Sequence, residues 1–116
     1  MLKSSFDRAN IHIQIAQKKK AKQQILYFLH HEVPGKTGII YCRSRKKTEE
    51  LASWLRGLGL PSRCYHAALS EEEKQQNHTF FAQQPGTIMV ATTAYGMGID
   101  IAHVRFVVHL DLPNSP

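Results

Sequence analysis

The fold follows from one stretch of the chain, IMVATTAYGMGID, which runs from Ile88 to Asp100. The stretch begins as a short, β-branched apolar run of the length expected for a buried strand. Two hydroxyl residues, Thr92 and Thr93, end that run, and a Gly-Met-Gly segment and a carboxylate follow them. A buried parallel strand that ends in polar groups delivers them to the carboxyl edge of its sheet, where open α/β sheets bind ligands. We therefore expect this stretch to form the working end of the domain.

Strand and helix patterns alternate on both sides of this stretch. Period-two or continuous apolar runs predict strands at 11–15, 38–42, 63–66, 87–91 and 104–110. Helical periodicity predicts helices at 17–31, at 44–58 and from Ser70 to about Phe81, the last opening with a capping box formed by Ser70 and Glu73. Helices between strands imply right-handed crossovers, so we predict an α/β fold with a mostly parallel sheet flanked by helices. Without internal repeats or a low-complexity linker, residues 1–116 are expected to form one domain.

Composition narrows the class of partner. The chain has 15 basic and 9 acidic residues, a formal charge of +6, which favours a polyanionic partner, although solubility charge would look the same. No apolar run approaches the roughly 20 residues of a membrane span, so no membrane partner is expected.

The two cysteines do not form a CxxC pair, which is typical of buried thiols in a reducing, cytoplasmic compartment. No histidine has metal-ligand spacing and no nucleophile arrangement is present, so we predict neither metal ligands nor catalytic residues.

The triplet Gly35-Lys36-Thr37 looks like the end of a phosphate-binding P-loop but fails the motif on two counts. The motif requires a glycine five positions before Gly35, and that position is His30. The motif also follows a strand and opens a helix, whereas this triplet precedes a predicted strand. We therefore expect no phosphate-cradling loop in this chain.

Two predicted strand ends carry side chains suited to phosphate. Arg43, Ser44 and Arg45 lie where a strand gives way to a helix, and a helix N-terminus with added cations suits phosphate oxygens. The alternative is a solvated helix start. His66 follows the next strand and could donate to a phosphate, although a lone histidine is more often structural.

The third strand end is the stretch quoted at the outset. The hydroxyls of Thr92 and Thr93 could contact a nucleic-acid backbone, and Gly96 and Gly98 would permit close backbone approach. Asp100 could accept hydrogen bonds from a ribose, or it could cap the following segment. A glycine pair of this kind is a weak signal when taken alone.

Together these residues resemble the second RecA-like motor lobe of superfamily-2 helicases, and specifically of the RecQ family of DNA helicases. SFDR at 5–8 resembles the family's entry to this lobe, and GIIYCRSR at 38–45 resembles helicase motif IV. YHAAL at 65–69 resembles the YHAGL element, and VATTAYGMGID at 90–100 resembles motif V. Two positions depart from the family pattern: Ala68 stands where glycine is usual, and Tyr95 stands where phenylalanine is common.

The resemblance implies a 3′→5′ DNA translocase driven by ATP. By this resemblance Arg43, Ser44, Arg45, His66, Thr92 and Thr93 would hold the backbone of single-stranded or partly duplex DNA. Gly96, Gly98 and Asp100 would face the nucleotide between two lobes. ATP and Mg²⁺ would be bound mainly by a first RecA-like lobe, the second expected partner, and neither would be held tightly by this chain. The resemblance also implies roles in DNA repair and recombination, in the bacterial cytoplasm or the eukaryotic nucleus.

The family's Walker A motif, and the motif VI that carries its arginine finger, do not occur in the sequence. We therefore expect the chain to belong to a larger helicase and to be inactive alone. Two other interpretations stay open, namely a lobe of a related RNA helicase and a non-enzymatic α/β module that binds nucleic acid or protein.

Overall fold

The computed structural model describes residues 11–15, 20–92 and 104–110 of the chain. In these residues three helices separate the first four strands, and a fifth strand follows the fourth. The strands are β1 (Ile11–Ile15), β2 (Gly38–Cys42), β3 (Ser62–Tyr65), β4 (Ile88–Thr92) and β5 (Phe106–Leu110). The helices are α1 (Ala21–Tyr27), which continues as a π-helical turn at Phe28–Glu32, α2 (Arg45–Gly57) and α3 (Glu71–Gln83).

The strands form one sheet in the order β1-β5-β2-β4-β3, and every neighbouring pair is parallel. The α/β fold predicted from the sequence is thereby confirmed. In the register, Cys42 at the end of β2 lies opposite Thr92 at the end of β4, and Tyr65 of β3 lies opposite Ala91. Consequently β2, β4 and β3 end side by side at the carboxyl edge, although they are not consecutive in the sequence.

The central strands β5, β2 and β4 are mostly buried on both faces, which explains why they read as nearly continuous apolar runs. Ile40, Val90 and Val108 pack on one face with the apolar residues of α1 and α2. Met89 packs on the other face, in the same cluster as Phe81 of α3. Helices on both faces are expected for a parallel sheet, because each crossover must return along one face or the other.

Both long helices begin with a capping serine, and α2 also ends in a specific motif. Ser44 caps α2, because its Oγ accepts the Lys47 N–H at 3.1 Å. The helix ends in a Schellman motif in which Gly59, at φ +88°, and Leu60 donate to Arg56 and Leu55 carbonyls. Helix α3 opens with the predicted capping box, since Ser70 Oγ accepts the Glu73 N–H and Glu73 accepts the Ser70 N–H.

The observed boundaries differ from the predicted ones at several ends. The first helix leaves α geometry at Phe28, because the Val33 N–H donates back five residues to the Phe28 carbonyl just before Pro34, which disfavours further helix. Strand β3 ends before His66, whose carbonyl instead accepts the Leu69 N–H in a turn. Helix α3 runs two residues beyond Phe81, and β5 begins at Phe106 rather than at residue 104.

Candidate nucleic-acid interface

Three neighbouring strand ends place the predicted phosphate-binding side chains along one rim. Arg43 directly follows Cys42, Thr92 ends β4 opposite it, and His66 directly follows Tyr65 on the far side of β4. Because parallel strands end at the same edge, these residues belong to the carboxyl edge of β2, β4 and β3. We call this edge, with the first turn of α2, the carboxyl rim.

The first turn of α2 gives the carboxyl rim its positive character. Arg43, Ser44, Arg45 and Lys46 are exposed, and Lys47 is half-buried, with its ammonium 3.6 Å from Glu50. The dipole of α2 adds partial positive charge at the same point, as at helix N-termini that bind phosphate. The Ser44 Oγ accepts the capping hydrogen bond, and its hydroxyl proton can still be donated. This turn is therefore chemically suited to an anionic backbone.

His66 has a different environment from the one expected of an exposed phosphate donor. The residue is buried, and its Nδ1 accepts the Ala68 N–H at 3.1 Å. Its Nε2 lies 2.6 Å from Oε2 of Glu49, a residue of α2. Both ring nitrogens are thus bonded within the protein, so a phosphate could reach the ring only by displacing Glu49. The assignment of His66 to DNA contact stays a prediction.

Sequence reasoning missed Glu49. It lies among the charged residues at the start of α2, reads as a solvated helix glutamate and precedes its histidine partner by 17 positions in the sequence. Nothing in the local pattern indicates that the carboxylate reaches across to the turn after β3. The pairing becomes visible only when α2 and that turn are packed beside each other.

The remaining predicted contacts fall partly outside the described structure. Thr92 is half-buried and ends β4 at the carboxyl rim. Thr93, Gly96, Gly98 and Asp100 lie outside the described residues, so their predicted contacts with DNA and with the nucleotide stay predictions.

The P-loop look-alike lies at the opposite, amino edge of the sheet. Gly35-Lys36-Thr37 precedes β2 as predicted, and Thr37 is buried with its Oγ1 accepting the Gly86 N–H at 2.7 Å. Lys36 and Arg105 line an open cavity of about 350 Å³ beside this turn. A P-loop needs its glycines and lysine at the start of a helix, so this triplet does not fit ATP phosphates or their Mg²⁺.

Neither cysteine has the chemistry of a nucleophile. Both thiols are free, and burial raises the pKa of the Cys42 thiol to about 12. Burial, followed by the nearby Glu49 carboxylate, also raises the pKa of Cys64. Thiolate is therefore scarce at neutral pH. Over the ranges that the structure describes, no three His, Cys, Asp or Glu residues cluster as metal ligands, and no helix is long and apolar enough to cross a membrane.

A comparison with known families matches residues 11–116 to the helicase conserved C-terminal domain. The chain belongs to this family, which is the class of protein that the parallel sheet and its polar carboxyl edge had indicated. Among individual proteins it is similar to the ATP-dependent DNA helicase RecQ of Pasteurella multocida, at 44% identity over 96% of this chain. The RecQ protein of Haemophilus influenzae is 41% identical over the same share. The resemblance to RecQ helicases is thereby confirmed.

The chain corresponds to a small part of these relatives, covering 17% and 18% of the two RecQ proteins. A putative ATP-dependent RNA helicase of Acanthamoeba polyphaga mimivirus is also similar, at 36% identity over 98% of this chain and 21% of that protein. The helicase C-terminal domain is thus shared with proteins described as acting on either nucleic acid.

Solved structures show the same fold. The C-terminal domain of Dbp5 from S. cerevisiae superposes with a TM-score of 0.70 at 24% identity, over 92% of this chain and 61% of that one. The E. coli DEAD-box protein SrmB superposes with a TM-score of 0.62 at 19% identity, over 89% and 77% of the two chains. At these identities the likeness establishes the RecA-like fold of helicase C-terminal domains and nothing further.

Proposed function

We propose that this chain is the second motor lobe of a RecQ-type, 3′→5′ ATP-dependent DNA helicase. In the parent protein it grips the backbone of single-stranded DNA and completes an ATP site shared with a first RecA-like lobe. The similarity to RecQ proteins supports the type of enzyme. The processes we assign to the parent are DNA repair and recombination, in the cytoplasm or, in a eukaryote, the nucleus.

The observation that carries the proposal is the convergence of polar side chains on the carboxyl rim. Arg43 and Arg45 are exposed beside a helix N-terminus, and Thr92 ends the strand next to theirs. Arginines, hydroxyls and a helix N-terminus all bind phosphate and sugar oxygens, which carry no sequence information, so they suit a grip that is independent of sequence. A motor that steps along DNA requires such a grip.

The nucleotide side of the proposal depends on Gly96, Gly98 and Asp100. We assign the two glycines to close backbone approach and the carboxylate to the ribose side of ATP. ATP and Mg²⁺ are assigned mainly to the first lobe of the parent, because the triplet Gly35-Lys36-Thr37 does not form a phosphate loop.

Binding of single-stranded DNA by Arg43→Ala tests the placement of the DNA site. Arg105→Ala is the matched control, because Arg105 is also exposed but lies at the amino edge, where its N–H donates to Thr37. Fluorescence anisotropy with an oligo-dT strand should show weak binding by the chain, with a slope of about −0.7 per phosphate contact in log K against log salt. We expect Arg43→Ala to weaken binding and to reduce that slope.

Two results would contradict this placement. One is equal loss in the two variants, since both remove one positive charge and only Arg43 lies at the carboxyl rim. The other is binding that does not depend on salt, since phosphate contacts release counterions.

An RNA helicase lobe is the second candidate, favoured by the similar mimivirus protein. Unwinding of matched DNA and RNA duplexes by the parent protein separates the two candidates, and we expect the DNA duplex to be preferred. A non-enzymatic module would be indicated instead if the parent gene encoded no Walker A motif upstream and no arginine-finger motif downstream.

A further inference from the structure

The His66–Glu49 pair joins two parts of the carboxyl rim that are distant in the sequence. Glu49 lies in the second turn of α2, the helix that starts with the exposed cations. His66 begins the turn that leads into α3, and its Nε2 lies 2.6 Å from Glu49 Oε2. The pair therefore connects the start of α2 with the turn that follows β3.

Hydrogen bonding determines which nitrogen of His66 is the donor. Nδ1 accepts the backbone N–H of Ala68, so it carries no proton when that bond is made. The ring proton of the neutral imidazole is then on Nε2, which donates to the Glu49 carboxylate. The bond from Ala68 therefore fixes Nε2–H of His66 as a donor, and its acceptor is the Glu49 carboxylate.

The two partners differ sharply in their exposure. The side chain of His66 is 3% exposed, whereas that of Glu49 is 56% exposed. The imidazole is held by the packed protein, while the carboxylate is on a solvent-facing side chain, whose ion pairs contribute little to stability. Glu49 is therefore the partner that can move, provided that another acceptor takes its place on the buried Nε2–H, and a phosphate oxygen is the same kind of anionic acceptor.

We infer that Glu49 occupies the Nε2–H of His66 in the DNA-free state and that a backbone phosphate of single-stranded DNA replaces it on binding. This inference rests on the proposed function, because it requires DNA at the carboxyl rim. DNA must then compete with an internal carboxylate, so Glu49 lowers the affinity of the rim for DNA. The exchange also removes a negative charge from the path of the phosphates.

Glu49→Gln tests the exchange, and Glu50→Gln is its matched control. Glutamine keeps an oxygen that can accept from His66 but removes the anion. Glu50 is the neighbouring exposed residue, paired with Lys47, so its substitution changes the net charge by the same amount. By anisotropy with oligo-dT at one salt concentration, we expect Glu49→Gln to bind about threefold more tightly, because the half-exposed Glu49 carboxylate is a competitor of modest strength. The gain in Glu50→Gln should be clearly smaller.

A second pair of variants ties the gain to the histidine. In His66→Asn, the oxygen of the asparagine side chain can still accept the Ala68 N–H, but asparagine has no donor in place of Nε2–H. In this background we expect the gain from Glu49→Gln to fall to that of Glu50→Gln. Equal gains in the two glutamate variants, weaker binding by Glu49→Gln, or an undiminished gain without His66 would each overturn the exchange.

NMR on the unsubstituted chain provides a measurement that needs no folded variant. Titration with oligo-dT should shift the Glu49 carboxyl carbon signal together with the Arg43 amide. A fixed Glu49 signal while the Arg43 amide moves would overturn the exchange and leave the proposed DNA site standing. If the unsubstituted chain did not bind oligo-dT at all, both the exchange and the proposed DNA site would be contradicted.

Discussion

At the scale of single residues, Gly38 shows how a missing side chain sets the distance between elements. A Cβ at this position would fall against the ring of Phe106, a fully buried residue of the neighbouring strand β5. We therefore expect Gly38→Ala to lower the free energy of unfolding by about 1–3 kcal/mol through overpacking, measured by urea denaturation. Gly57→Ala is the control, because its added Cβ meets nothing within 4 Å beyond its chain neighbours and the nearby backbone of its own helix, and alanine favours the helix. Equal destabilisation by the two substitutions would show that contact with Phe106 is not the cause.

At the scale of elements, the start of α3 depends on the capping box between Ser70 and Glu73. Ser70 Oγ satisfies the Glu73 N–H at 3.1 Å, and three glutamates in the first turn match the positive end of the helix dipole. We expect Ser70→Ala to lower the free energy of unfolding by about 1 kcal/mol, with thermal melting as the measurement. Ser53→Ala, at an exposed position inside α2, should be neutral or slightly stabilising. No difference between these two serine variants would contradict the role of the cap.

At the scale of the whole molecule, Arg43, Ser44, Arg45 and His66, which we predict to bind phosphate, lie at the carboxyl rim, and the P-loop look-alike lies at the opposite edge. Thr37 is buried and bonded to Gly86, so the look-alike cannot open into a nucleotide cradle without breaking that turn. We expect the purified chain to show no ATP hydrolysis above a buffer blank, with or without single-stranded DNA, because it lacks a Walker A loop and an arginine finger. A phosphate-release assay measures this directly. Turnover stimulated by DNA would contradict the assignment of ATP binding to another lobe.

The sequence by itself determined the elements and the kind of fold. Apolar runs, helical spacing and the Ser70–Glu73 cap are local signals, and each acts over a few residues, so they predicted strands, helices and the parallel sheet. The boundaries shifted where a backbone bond intervened, as at the Val33–Phe28 bond before Pro34. The motifs of the carboxyl rim could also be located in the sequence, because each directly follows a predicted strand.

Only the tertiary structure decided which elements become neighbours. The order β1-β5-β2-β4-β3 brings three strand ends together, and it pairs His66 with Glu49 and Thr37 with Gly86. Such contacts join residues that no local pattern relates. They form only when the strands are ordered in the sheet and the helices are packed on its two faces. For that reason the histidine predicted to donate to DNA lies buried against a carboxylate that sequence reasoning did not single out.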